Sequence, residues 1–205
     1  MEIEIEGLRL TVCQDVYPPS EDTYLLLDGI NDRRADVALE VGSGTGIATL
    51  KMASNGSFVV ASDIDPKAAH CTKLNAKKNG LSSLIDVVVG DSLSPFRDQG
   101  FNLIVFNPPY LPTEDRDVRW SGGPNGREVL DRFINEVCSK LKSGGILLLI
   151  QSTLTGVAET LNKLRSKGMR AGVARLVKVG LFEEIVLIEA LRLKFEPEPS
   201  KTSGQ

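Results

Sequence analysis

The sequence predicts an α/β domain, a seven-stranded, mostly parallel sheet with helices on both faces. Three observations carry that expectation. Short, uninterrupted Val/Ile/Leu runs recur along the chain, as in Val37–Val41, Ile85–Val89 and Phe101–Phe106, which is how strands buried on both faces read. Stretches with helix-start and helix-stop chemistry alternate with these runs. The last two strand-like stretches follow one another with no helix between them, which predicts a closing hairpin and one antiparallel edge.

In chain order, residues 3–12 read as an N-terminal strand. Ser20 then offers a side-chain cap to a helix over residues 21–30. Val37–Val41 is the first buried strand, followed by a helix over 45–54 and a second strand over 58–62. Pro66 suits a first helical turn and Gly80 a stop, so a helix spans 66–79. Strands at 85–89 and 101–106 follow, then a helix over 127–141. Gly144-Gly145 turns it into a strand at 146–150. A helix over 155–167 and strands over 170–177 and 184–191, meeting around Gly180, complete the series. Residues 1–195 are expected to form one domain, because 205 residues with 41% hydrophobic content suit a single core. Residues 196–205 have the Pro/Glu/Ser composition of a flexible tail.

Composition narrows the function. Twenty-four basic residues against 27 acidic ones give a net charge of −3, a poor match to tight, nonspecific nucleic-acid binding. No run approaches the length needed to cross a membrane, and the acidic, alternating start Met1-Glu2-Ile3-Glu4 is unlike a signal peptide. Cys13, Cys71 and Cys138 lie far apart and form no zinc spacing, so no metal site is expected. They are expected as small, reduced, buried residues of a cytoplasmic protein.

The first buried strand runs into Glu40-Val-Gly42-Ser-Gly44-Thr-Gly46. Glycines there let the backbone turn sharply and approach a ligand at a helix N-terminus. Ile47 stands where a dinucleotide fingerprint needs a small residue, so the loop is a Gly-x-Gly-x-Gly variant after an acidic residue. Asp63 falls just past the second strand, where a carboxylate can take both hydroxyls of a ribose. In Asp63-Ile-Asp65-Pro66 the second aspartate is the expected helix cap and the first the ribose ligand. Asp91, past the third strand in Gly90-Asp91, can reach the exocyclic amine of an adenine, an ordinary turn pair being the other reading. Polar groups from separate strand ends thus converge on one crevice.

The fourth strand ends in Asn107-Pro108-Pro109-Tyr110. Two prolines fix two backbone dihedrals and donate no hydrogen bonds, so the loop is stiff and its oxygens stay free to accept. Rigid acceptors of this kind, the Asn107 side-chain oxygen and the Pro108 carbonyl, match the two hydrogens of a planar NH₂ group. No general base is evident. His70, the single histidine, falls in a helix away from the crevice and is expected to be a surface or core residue.

With these motifs on the page, the chain resembles class I S-adenosylmethionine-dependent methyltransferases of the HemK type. The segment Val16-Tyr17-Pro18-Pro19-Ser20-Glu21-Asp22-Thr23 and the stretch Trp120 to Phe133 are similar to the branch found in archaea and eukaryotes. The resemblance covers roughly residues 15–191. It implies a Rossmann-like fold with strand order 3-2-1-4-5-7-6, S-adenosyl-L-methionine as cofactor and S-adenosyl-L-homocysteine as product. It further implies methylation of N5 of the Gly-Gly-Gln glutamine in a class I translation release factor. By the same resemblance, Thr23, Glu40, Gly42, Asp63, Asp91 and Asn107 contact cofactor or substrate, and Ser92 meets the adenine through its backbone. An amino group of nucleic acid or a protein lysine is the alternative acceptor, and a noncatalytic donor-binding module the alternative from another class.

Bacterial members carry a helical substrate-gripping domain ahead of the catalytic one, and only about fifteen residues precede Tyr17 here. Archaeal and eukaryotic relatives work with a small zinc-binding activator subunit. The third strand, Ile85–Val89, is expected at an edge of the sheet and is β-branched and nearly uncharged, a composition that needs a cover. That cover is expected to be the activator, the chain's own N-terminal strand being the other possibility. Residues 111–127, with the single tryptophan Trp120, are expected either as a lid over the substrate or as a plain solvated loop.

Overall fold

The computed structural model describes residues 1–113 and 120–194. The expected tail at 196–205 and the middle of the 111–127 segment lie outside the described residues. The elements are β1 (Glu2–Ile5), β2 (Leu8–Thr11), α1 (Glu21–Ile30), β3 (Val37–Val41), α2 (Ile47–Ser54), β4 (Phe58–Asp63), α3 (Pro66–Lys78), β5 (Ile85–Val89), β6 (Phe101–Phe106), α4 (Glu128–Lys140), β7 (Leu141–Ser152), α5 (Val157–Ser166), β8 (Met169–Lys178) and β9 (Glu184–Arg192).

Seven strands pair in the order β5-β4-β3-β6-β7-β9-β8. With β1 and β2 set aside and the rest counted from β3, this is the expected 3-2-1-4-5-7-6. β9 runs antiparallel to both its neighbours and the remaining pairs are parallel. Strand alternation feeds two core layers. Leu103, Val105, Leu148 and Ile150 pack with α1 and α2 on one face. Ile104, Phe106, Leu147 and Leu149 pack with α4 and α5 on the other. The continuous apolar runs are therefore strands covered twice.

Three expectations need correction. The N-terminal strand is a hairpin: Glu6 and Gly7 both adopt positive φ (50° and 79°), as a two-residue hairpin turn requires. The hairpin lies against α3, where Asn75 and Asn79, one turn apart, act as a surrogate strand. Asn75 accepts from the Thr11 N–H (2.8 Å) and donates to the Thr11 carbonyl (2.9 Å); Asn79 does the same for Arg9 (2.9 and 2.7 Å). The hairpin therefore leaves the β5 edge alone, and β5 pairs with β4 only among the described residues. The strand expected at 146–150 is longer, because β7 pairs Leu141 with Phe101 and passes through an irregular register to pair Ile146 with Leu103. Finally, Cys13 and Cys71 are joined by a disulfide across a sequence separation of 58, with Cα atoms 6.0 Å apart. Linear spacing hid this, since only the docking of β2 on α3 brings the pair together. Cys138 remains a free thiol.

Candidate functional site

At the C-terminal ends of β3, β4, β5 and β6 lies a crevice of about 400 Å³, within the range of small-molecule sites. All the sequence-predicted residues except Gly46 line it: Thr23, Glu40, Gly42, Gly44, Asp63, Asp91, Ser92 and Asn107 through Tyr110. Gly46 supports it from behind. It is the N-cap of α2 with φ 82°, and a Cβ there would stand 2.8 Å from Thr72 Cγ2, so only glycine lets the loop seat on α3.

Asp63 is the last residue of β4 and is buried. Its Oδ2 accepts from the Gly44 N–H and its Oδ1 from the Asp65 N–H, both at 2.9 Å. One carboxylate thus ties the glycine loop to the start of α3, and burial raises its pKa above the ordinary aspartate range. Asp65 is the helix cap, accepting from the Lys67 N–H at 2.8 Å. Glu40, buried in β3, accepts from the Thr49 N–H at 2.7 Å and from the Thr49 hydroxyl. Desolvation pushes its carboxyl up to about 8. Thr23 sits in the first turn of α1, its hydroxyl accepting from the Ser20 N–H at 3.2 Å.

Asp91 and Ser92 follow β5. The Asp91 carboxylate is gripped on both oxygens by the Arg132 guanidinium of α4, each contact 2.7 Å. Ser92 adopts φ 51°. Arg132 lines the crevice, and no local spacing pairs it with Asp91, 41 positions away.

Asn107 through Tyr110 follow β6. The Asn107 amide nitrogen donates to Asp22 Oδ2 at 2.9 Å. The Tyr110 hydroxyl donates to the same oxygen at 3.3 Å, and burial with the Asp22 charge nearby raises the tyrosine's pKa. The Asn107 Oδ1 atom is buried and has no hydrogen-bond partner among the described residues. Asp22 also lines the crevice, and sequence reasoning missed it. Its sequence signal, an acidic pair opening a helix, is ordinary helix-dipole chemistry.

Beyond Tyr110 the chain leaves and returns. The Leu111 N–H donates to the Trp120 carbonyl (2.9 Å) and the Gly122 N–H to the Leu111 carbonyl (3.0 Å). Trp120 and Ser121 line the crevice, while residues 114–119 lie outside the described residues. Arg127 anchors the return, buried and donating to Gly156 O (3.0 Å) and Asp131 Oδ1 (2.7 Å). His70 is exposed on α3 and does not line the crevice. Among the described residues no cluster of His, Cys, Asp or Glu could hold a metal ion.

A glycine loop, a strand-end carboxylate and an Asn-Pro-Pro-Tyr tetrapeptide around one crevice of a 3-2-1-4-5-7-6 sheet define a class I methyltransferase. The family described as "Methyltransferase small domain" matches residues 20–171. A Methanocaldococcus jannaschii protein named a protein N5-glutamine methyltransferase is 41% identical over 94% of this chain and 100% of its own length. The human methyltransferase HEMK2 is 36% identical over 78% of this chain and 82% of its own. The structure of the Encephalitozoon cuniculi Mtq2–Trm112 complex, responsible for methylation of the termination factor eRF1, matches with a TM-score of 0.73 at 27% identity, over 87% of this chain and 99% of that one. The chain belongs to the methyltransferase small domain family, in its HemK-type archaeal and eukaryotic branch.

Proposed function

We propose that the protein transfers a methyl group from S-adenosylmethionine to N5 of the glutamine in the Gly-Gly-Gln motif of a class I release factor, with S-adenosylhomocysteine as the leaving group and one amide hydrogen lost to solvent as a proton. The observation that carries this reading is the buried, unpartnered Asn107 Oδ1 on a proline-stiffened loop at the crevice. A buried acceptor without a donor is costly, and an NH₂ group satisfies it.

The donor set fits the cofactor. Asp63 is positioned for ribose hydroxyls, the loop at Gly42 and Gly44 for close backbone approach beside Glu40 and Thr23, and Asp91 with Ser92 for the adenine. When bound, S-adenosylmethionine supplies an electrophilic sulfonium methyl. Asn107 Oδ1 and the Pro108 carbonyl would each accept one N–H of the glutamine amide and hold its nitrogen on the line of displacement. An amide nitrogen is a weak nucleophile, so orientation must do most of the work; effective molarities of well-aligned reactions correspond to about 7–11 kcal/mol. Pro109 and Tyr110 fix the loop, Tyr110 through Asp22.

The same reading includes a small zinc-binding activator subunit seated on the outer edge of β5. Support comes from the absence of a second partner strand there among the described residues and from the two-chain assembly of the Mtq2–Trm112 structure. A cytoplasmic site of action goes with a translation-factor substrate. Among the described residues no helix is long and apolar enough to cross a membrane.

The test is incubation of the purified protein, with its activator, with labelled donor and a termination factor, tRNA, rRNA or DNA. One added methyl on the Gly-Gly-Gln glutamine, located by peptide mass spectrometry, is the expected result. Label confined to lysine or nucleic acid overturns the substrate assignment, and donor binding without any transfer favours a noncatalytic module.

A further inference from the structure

Asp22 collects more hydrogen-bond donors than a helix-opening aspartate needs. It is 4% exposed, and every contact it makes comes from a group able to donate. Its Oδ1 takes the Thr23 N–H (2.7 Å) and hydroxyl (3.2 Å). Its Oδ2 takes the Asn107 amide nitrogen (2.9 Å), the Tyr110 hydroxyl (3.3 Å) and the Tyr17 hydroxyl (3.5 Å). The backbone N–H and the amide nitrogen can only donate, so the carboxyl faces them as an acceptor.

We propose that Asp22 is a positioning residue that sets which way round the Asn107 amide sits, and so gives the site its preference for a nitrogen that donates hydrogens. This rests on the methyltransfer reading above and names the group that enforces it. The two ends of an Asn side chain have nearly the same shape, and surrounding hydrogen bonds decide which points where. Reversing Asn107 would press its oxygen against Asp22 Oδ2, acceptor to acceptor, with no hydrogen between them. Only the observed orientation gives the nitrogen a partner, and it leaves Oδ1 as the bare acceptor. The prolines hold the backbone of the loop; Asp22 holds the polarity of its side chain. A substrate oxygen that carries no hydrogen meets repulsion at Oδ1, whereas an amide or amine nitrogen completes the pair by donating. The segment before α1, α1 itself and the loop after β6 meet at this carboxylate.

The near-isosteric Asp22→Asn variant tests this. Its new amide nitrogen can face Asn107 and accommodate the reversed side chain, turning a donor toward the substrate. At saturating donor, single-turnover methyl transfer to the substrate of the wild-type protein should fall on the order of a hundredfold, the scale for losing one oriented polar group at a reacting centre. Donor affinity by calorimetry and the thermal midpoint should stay close to wild type. The double variant Asp22→Asn/Asn107→Asp restores a nitrogen-to-oxygen contact with a free oxygen at position 107, and should recover at least about tenfold of the lost rate, the non-additivity expected of a directly coupled pair. A purely structural aspartate would give additive losses. Hydrogen exchange of the Asn107 side-chain NH₂, followed by NMR on the protein without substrate, should be slow in the wild type and fast in Asp22→Ala. A wild-type rate in Asp22→Asn, a double variant no faster than the single one, or equal exchange in both proteins overturns the proposal. If the same loss and recovery appear on an acceptor other than glutamine, the substrate assignment fails while the role of Asp22 stands.

Discussion

Asp63 and Glu40 are both buried acids at adjacent strand ends, yet their commitments differ. Glu40 spends its Oε2 on Thr49, inside the first turn of α2, so it braces the helix that the glycine loop opens. Asp63 spends each oxygen on one backbone N–H, from Gly44 and Asp65, and still lines the crevice with acceptor capacity to spare. Asp63→Ala should therefore weaken donor binding. Hydrogen bonds to a charged group contribute about 1.5–3 kcal/mol, so titration calorimetry should show roughly tenfold to more than a hundredfold lower affinity. Affinity equal to wild type would remove Asp63 from the site. Asp63 could be read from the sequence because strand-end position alone announces it. Asp22 could not, because its partner Asn107 stands 85 positions away and its neighbours explain it as helix chemistry.

Elements were legible to the extent that local chemistry defines them. The strand at Ile85–Val89 and the helix opened by Asp65-Pro66 follow from a β-branched run and from capping. The hairpin of β1 and β2 was not, since Glu6 is an unremarked turn residue and the surrogate strand formed by Asn75 and Asn79 exists only after α3 has formed. That hairpin matters for the edge it leaves open. β5 joins β4 on one side, with Val89 56% exposed and Val87 packed against the core. An edge of this composition without lysine, proline or a bulge invites pairing with another chain. Val89→Lys places a charge on the exposed end of that strand without disturbing the core-facing Val87. Co-purification with the small activator subunit should be lost while the melting transition of the isolated protein stays near wild type. A complex that forms normally would put the interface elsewhere.

At the scale of the whole molecule, the two-layer core around the sheet was implied by the uninterrupted apolar strands, while the covalent tie between its parts was not. Cys13 follows the hairpin and Cys71 lies in α3. The loop they close contains α1, the glycine loop, α2 and β4, that is, most of one wall of the crevice. Val16 and Ala68 pack beside the pair and also line the crevice, so the tie holds the segment bearing Tyr17 against the site. Closing a loop with a separation of 58 residues restricts the unfolded chain by about 4 kcal/mol in the loop-entropy account, with measured values of about 2–4 kcal/mol common. Reductant should lower the urea-unfolding free energy of the wild-type protein by an amount in that range. Cys71→Ser should show the lower value from the start and respond no further to reductant, whereas Cys138→Ser should behave like wild type, because Cys138 is the free thiol. A wild-type transition that ignores reductant would mean that Cys13 and Cys71 stand apart as thiols and that packing of β2 on α3 alone holds the hairpin in place.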